Sequence, residues 1–224
     1  YRWYTDTTQA TVVTTKTFSP NLTTTQDLYF SYLNVESCES HRTKFTATIH
    51  PIPTISLSSV SAICPTETSF SLAYTGLTGS ADKYSITSTN FPDFVSVTDA
   101  AISATPFVVS VKENAPAGTY NFVLKLKNST TLCESLDIPF TVRVKAATVI
   151  TTQPLPTETC EGEAVNLNVA ATGEGTLTYQ WFKGNDLMTG EDKATLSFAA
   201  AAVSNQGKYS CKVMGECGTV SSSE

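Results

Sequence analysis

Two copies of one cysteine-led pattern stand 95 residues apart in this chain. Cys38-Glu39-Ser40 is followed by Phe45-Thr46 and Ile49, and Cys133-Glu134-Ser135 by Phe140-Thr141 and Val144, at the same offsets of seven and eleven residues. A second spacing repeats as well: Cys38 to Cys64 is 26 residues and Cys133 to Cys160 is 27. Self-similarity at so long a period is the mark of a tandem array of like units. The array does not divide into whole units. Cys38 has a late position in its repeat, yet no early cysteine precedes it. We therefore expect a segment of a longer chain, beginning inside one repeat and ending inside another.

Composition narrows the classes. Charged residues make up only 15% of 224, and the net charge is -6. That acidic, lysine-poor balance speaks against nucleic acid, whose phosphates are held by Lys and Arg. No apolar run approaches the roughly 20 residues of a membrane helix, so no membrane insertion is expected. The chain has six cysteines and no C-x-x-C pair. This favours disulfides and an oxidising, extracellular or cell-surface setting over zinc or scattered reduced thiols.

The residue pattern is β throughout. Tyr120, Phe122, Leu124 and Leu126 alternate with Asn121, Val123 and Lys125, the period of a half-buried strand. Val165-Leu167-Val169 does the same, and Phe45-Ala47-Ile49 and Phe140-Val142-Val144 read as closing strands. Turn signals recur at short intervals, among them Ser19-Pro20-Asn21, Gly76 to Gly79, Ala115 to Gly118 and Gly184-Asn185. Ala199 to Val203 has room for one helical turn. Short strands with frequent turns predict sandwiches or barrels. We place the units at residues 1–51 (first strands missing), 52–145 and 146–224 (last strand incomplete). The junctions, His50-Pro51-Ile52-Pro53 and Lys145-Ala146-Ala147, are not flexible Gly/Ser linkers, and prolines stiffen the first. The expected shape is an elongated rod, each repeat adding roughly 30–40 Å at ~3.3 Å per strand residue.

In the third repeat, Tyr179-Gln180-Trp181 is followed by Asn205-Gln206-Gly207-Lys208-Tyr209-Ser210-Cys211. A core Trp, then a Tyr two residues before a Cys, resembles an immunoglobulin domain of the intermediate type from Gln153 onward. It departs from that pattern at Val169, where the first core cysteine is expected. The resemblance therefore implies that Cys211 is a buried free thiol beside Val169. The first segment, from Tyr1-Arg2-Trp3-Tyr4 to Cys38-Glu39-Ser40-His41-Arg42-Thr43, resembles the Ig-like repeats of giant surface proteins of gliding bacteria exported by the type IX secretion system. Those repeats carry a W-Y strand, a Thr-rich middle and a closing G/S-C-x-S-x-x-T hairpin, which makes Trp3 a core residue. In the middle repeat, Ala117-Gly118-Thr119-Tyr120 resembles the corner before the sixth strand, with Tyr120 in the core. The fold implied is all-β, tandem immunoglobulin-like β-sandwiches.

Chemistry-bearing candidates are few. The only histidines are His41 and His50; neither lies in a nucleophile motif, so no catalytic residue and no cofactor is expected. Cys38-Glu39-Ser40-His41 has a C-x-x-H spacing, but a metal site needs two more ligands. Leu136 stands where His41 does in the partner repeat, which favours a structural hairpin. Asp186, Glu191 and Asp192 lack the calcium-loop pattern and read as a solvated connection. Asp6-Thr7-Thr8 resembles the O-glycan acceptor of this bacterial group, with Thr7 as the acceptor. Asn21-Leu22-Thr23 and Asn128-Ser129-Thr130 match the N-glycan acceptor. Tyr1, Tyr4 and Phe91 could contact sugars if exposed; packing is their default.

These features favour a non-catalytic stalk in a large extracellular adhesin or multi-chain surface filament. Its partners would be neighbouring repeats of the same chain and further copies in the filament. The alternatives are a glycan- or protein-binding module and an accessory region of a secreted polysaccharide-degrading enzyme. The implied sandwich also bears on cysteine pairing. Cys64 and Cys160 precede the second strand at one end of their units; Cys133 and Cys217 occupy the final hairpin at the other. Pairs within a unit would be on the order of 25–30 Å apart, against roughly 4.4–6.8 Å between the Cα atoms of a disulfide. We expect Cys64–Cys217 across the second junction, with Cys64–Cys133 and Cys160–Cys217 as the competing intra-unit scheme. Cys38, Cys133 and Cys160 would pair with repeats beyond this segment.

Overall fold

The computed structural model describes residues 2–4, 11–12, 22–103 and 105–224, and its regular structure is almost entirely antiparallel β. Thr7, its neighbours Asp6 and Thr8, Tyr1 and Asn21, all candidates by sequence, lie outside the described residues. The first unit is one sheet in the order β2-β1-β3-β4, built from β1 (Arg2–Tyr4), β2 (Thr11–Val12), β3 (Gln26–Ser31) and β4 (Thr43–Ala47). The closing strand ends earlier than the sequence pattern implied. Ile49 lies beyond β4 and is 40% exposed, its N–H held by Thr25 Oγ1 at 2.9 Å instead of by a ladder. Tyr4 and Leu28 point inward. Trp3 is half-buried, packed on Phe30 and Phe45 with centroids 5.0 and 5.7 Å away.

The second unit is a two-layer sandwich. Its strands are β5 (Ser56–Leu57), β6 (Ser69–Leu72), β7 (Tyr74–Thr75), β8 (Lys83–Ser88), β9 (Val97–Ala101), β10 (Phe107–Ser110), β11 (Gly118–Lys127) and β12 (Ile138–Val144). One layer is the sheet β12-β11-β8-β9; the other holds the pairs β10-β6 and β5-β7. The period-2 alternation of β11 drives this arrangement: Tyr120, Phe122, Leu124 and Leu126 all face the core, while Asn121 and Lys125 face water. Burying each such apolar side chain contributes about 1.5–3 kcal/mol. Phe122 stacks on Phe140 at 5.3 Å and meets Phe70, Phe91 and Phe94. Phe91, at 5% exposure, is therefore a core residue with no face for sugar, and so is Tyr4 at 1%.

The third unit repeats the plan with β13 (Val149–Thr152), β14 (Val165–Asn168), β15 (Ala170–Thr172), β16 (Thr178–Lys183), β17 (Asp186–Leu187), β18 (Thr195–Phe198), β19 (Tyr209–Gly215) and β20 (Gly218–Ser221). The sheet β17-β16-β19-β20 faces the pairs β14-β18 and β13-β15. Val169 stands at the break where the second strand leaves β18 for β13, its N–H bonded to Ala194 O at 2.9 Å. It is buried with Trp181, Leu196, Cys211 and Val213. Trp181 Nε1 donates to Lys193 O at 2.8 Å, so its one polar atom is satisfied. The helical turn is a 3₁₀ turn at Val203–Asn205, entered from the end of the alanine run. Both hydroxyls of the expected corners tie back four residues: Tyr120 to Pro116 O at 2.7 Å and Tyr209 to Asn205 O at 2.5 Å. Tyr120 is buried and Tyr209 half-buried.

Candidate functional site: the junctions between units

The stretch between β4 and β5 is pinned rather than loose. Pro53 is buried against Gly79, where an added Cβ would come within 2.7 Å of Pro53 Cα. Gly79 also has φ +66°, a conformation that glycine adopts without penalty. Thr54 and Thr78 lock the two segments together: Thr78 N donates to Thr54 O at 2.9 Å, and Thr54 N to Thr78 Oγ1 at 3.1 Å. Cys133 Sγ lies 4.0 Å from His50 O, so the final hairpin of the second unit abuts the exit of the first.

The second junction is tied covalently. Cys64 and Cys217 form a disulfide with Cα atoms 5.3 Å apart, closing 153 residues of chain. The geometry brings together two of the five disulfide candidates. Cys38 and Cys160 are free and exposed, Cys133 is free and half-buried, and Cys211 is free and buried. The intra-unit pairings Cys64–Cys133 and Cys160–Cys217 are not present. Beside the bond, both Glu174 oxygens accept from Arg143 Nη2 at 2.9 and 3.0 Å, and Glu216 accepts from Lys145 Nζ at 2.8 Å. The Arg143 hydrogen bond holds the Glu174 carboxyl below the usual carboxylate range; the Ala146 N–H helps and burial opposes. Thr148, at 4% exposure, is clamped under Gly173 and Gly215; a Cβ on Gly215 would come within 2.6 Å of Thr148 Oγ1.

Magnitudes rank these ties. Solvent-exposed ion pairs contribute about 0.2–1 kcal/mol each. In the chain-entropy account, a disulfide closing so long a loop contributes about 5 kcal/mol. The covalent bond dominates, with the ion pairs and the clamped linker as smaller ties beside it.

The other candidates resolve into structural roles. No group of three His, Cys, Asp or Glu is placed to hold a metal among the described residues. Cys38 and His41 flank a carboxylate that sequence reasoning passed over. Glu39 accepts from Ser31 Oγ at 2.6 Å, from Arg2 Nη1 at 3.0 Å and from the Tyr4 hydroxyl, and Arg42 lies 3.6 Å away. The Ser31 hydrogen bond first, then Tyr4, carry its pKa down to about 2 against the effect of burial. The signal lay in the repeat itself, since Glu39 has Glu134 at its equivalent position. Asn128 is no open glycan acceptor: it is 8% exposed, donates from Nδ2 to Gly79 O at 3.1 Å and accepts the N–H groups of Thr130 and Thr131. An open groove of about 780 Å³ lies beside Leu155, Val165, Phe198 and Tyr209, next to the Cys160 turn.

Comparisons with known proteins place this geometry in a class. Residues 149–214 match the immunoglobulin domain family. Among solved structures, the three-domain I-band fragment I67-I69 from titin is similar, with 15% identity and a TM-score of 0.54 over 99% of this chain and 84% of that one. Extracellular domains 3-5 of Drosophila OTK align at 14% identity and a TM-score of 0.45, over 88% of this chain and 68% of that one. No curated protein matches. At such low identity the titin likeness speaks for the fold alone: a tandem of immunoglobulin-like β-sandwiches.

Proposed function

We propose that this chain is a non-catalytic stalk segment of a large extracellular adhesin or surface filament, its units stacked into a stiff rod. The observation that carries the reading is the second junction, where a disulfide, two ion pairs and a buried linker threonine join adjacent units. A module built only to present loops has no need of such a lock. A disulfide between residues so far apart in sequence also favours an oxidising location outside the cell. The resemblance of the first segment to type IX-secreted repeats supports a giant bacterial surface protein as the setting. Copies packed side by side in a filament are a narrower form of the same proposal.

Small-angle scattering tests the shape on which this function depends. A compact body of 224 residues would have a radius of gyration of about 17 Å. A value well above that, unchanged by salt, is expected; a compact value refutes the rod. The groove beside Leu155 favours a second reading, a glycan- or protein-binding module. Saturable binding on a glycan array, abolished by Phe198→Ala with the fold intact, would establish it.

A further inference from the structure

The two bonded cysteines occupy positions that recur along the chain. Cys64 and Cys160 each sit on a turn closed by the N–H of a glutamate three residues on: Glu67 N to Cys64 O at 3.0 Å, and Glu163 N to Cys160 O at 3.2 Å. Each stands five residues before its strand, β6 from Ser69 and β14 from Val165. Cys38, Cys133 and Cys217 all lie in the hairpin between the last two strands of their sheets. The first two hairpins have corresponding hydrogen bonds, each spanning one residue more in the second. Asn34 N reaches Cys38 O at 3.1 Å and Asn128 N reaches Cys133 O at 2.9 Å; Ser40 N reaches Tyr32 O at 2.8 Å and Ser135 N reaches Leu126 O at 2.9 Å.

The junctions correspond too. Lys145, twelve residues after Cys133, binds Glu216 beside the bonded Cys217. His50, twelve residues after Cys38, has its carbonyl 4.0 Å from Cys133 Sγ. Cys133 thus has at the first junction the place that Cys217 has at the second. Cys160 is exposed, as the outward half of such a contact must be before it is joined.

We propose that Cys133 and Cys160 are open halves of this same connector. Cys133 bonds a cysteine on the turn before the second strand of another immunoglobulin-like unit. Cys160 bonds a cysteine in the final hairpin of another, with a carboxylate next to it as at Glu39, Glu134 and Glu216. In each pairing two thiols lose two protons and two electrons as the S–S bond forms. A disulfide oxidant, protein or small-molecule, takes up the electrons through a mixed disulfide and leaves as two thiols. Where the partner of Cys160 belongs to a later unit of the same chain, residues 160–217 fall inside two overlapping covalent loops. This connectivity goes beyond the stalk reading and holds whether or not the array bears load.

Peptide mapping decides it. The protein as its natural host makes it is alkylated with N-ethylmaleimide before extraction and digested without reduction. The expected result is a Cys64–Cys217 peptide, with Cys133 and Cys160 each in disulfide with a cysteine of the stated position in another unit. Recovery of either residue alkylated, capped by a small thiol, or bonded to the other or to Cys38 overturns the proposal. A Cys160→Ser variant gives the second readout: one new alkylatable thiol in a final hairpin, with Cys64–Cys217 intact. No new thiol also overturns it.

Discussion

Glu39 shows how much one carboxylate can organise in a unit with little core. Its folded pKa, about 2, is depressed below the ordinary carboxylate value, so its contribution is present above the unfolded pKa and is lost as pH falls through about 2. We expect the first unit to lose hydrogen-exchange protection in β3 between roughly pH 4.3 and 2, and Glu39→Gln to remove that pH dependence; an unchanged acid profile would contradict the assignment. Cys211 offers a second residue-scale prediction. Its thiol is pushed up by burial and shares the Trp181 cluster with Val169, where the usual bridging cysteine is absent. Val169→Cys would close 42 residues and raise stability by up to about 4 kcal/mol, seen as a higher Tm that reductant abolishes. Val169 and Cys211 were legible in the sequence, because a Tyr-x-Cys corner fixes what must oppose it. Glu39 was only half legible: the repeat marks its position through Glu134, but its partners, Arg2 and Tyr4 from β1 and Ser31 from β3, reach it only through tertiary pairing.

At the scale of elements, the junctions depend on glycines that let two backbones touch. Gly79→Ala would force a side chain into the left-handed region and against Pro53, at about 1–2 kcal/mol for the backbone alone. Urea denaturation of the second unit should show a loss of at least that size; a loss within a few tenths would mean that the Pro53 contact does not hold. Strands with strict alternation, such as Tyr120 to Leu126, were readable because their period meets one buried face. Exact ends were not. Ile49 belongs to a regular apolar series with Phe45 and Ala47, yet it lies outside β4 because its N–H finds the Thr25 hydroxyl instead of a strand partner. The inward phase also slips by one residue between like strands: Phe70 and Leu72 are buried six and eight residues after Cys64, Val169 nine after Cys160. Cysteine spacing alone does not reveal that slip, because the turn before the strand absorbs it.

For the whole molecule, the bond between Cys64 and Cys217 redirects any force applied along the chain. Tension entering through the first unit crosses at Cys64, leaves at Cys217 and bypasses the chain between them, a sequence separation of 153. The parts of the second and third units inside that loop are then shielded from extension however weak their individual cores are; β5 and β20 lie outside it and bear the load. The connection was readable from the sequence because opposite ends of a sandwich cannot be bridged within one unit; the salt bridges around it were not, since Arg143 and Glu174 are paired only by the angle between units. Single-molecule pulling from the two termini tests the covalent lock most directly. Without reductant, the released length should stop short of the whole chain. With reductant, a further extension of about 500 Å should appear, the hidden sequence separation of 153 at roughly 3.3–3.6 Å per residue. Full extension in both conditions would contradict the account.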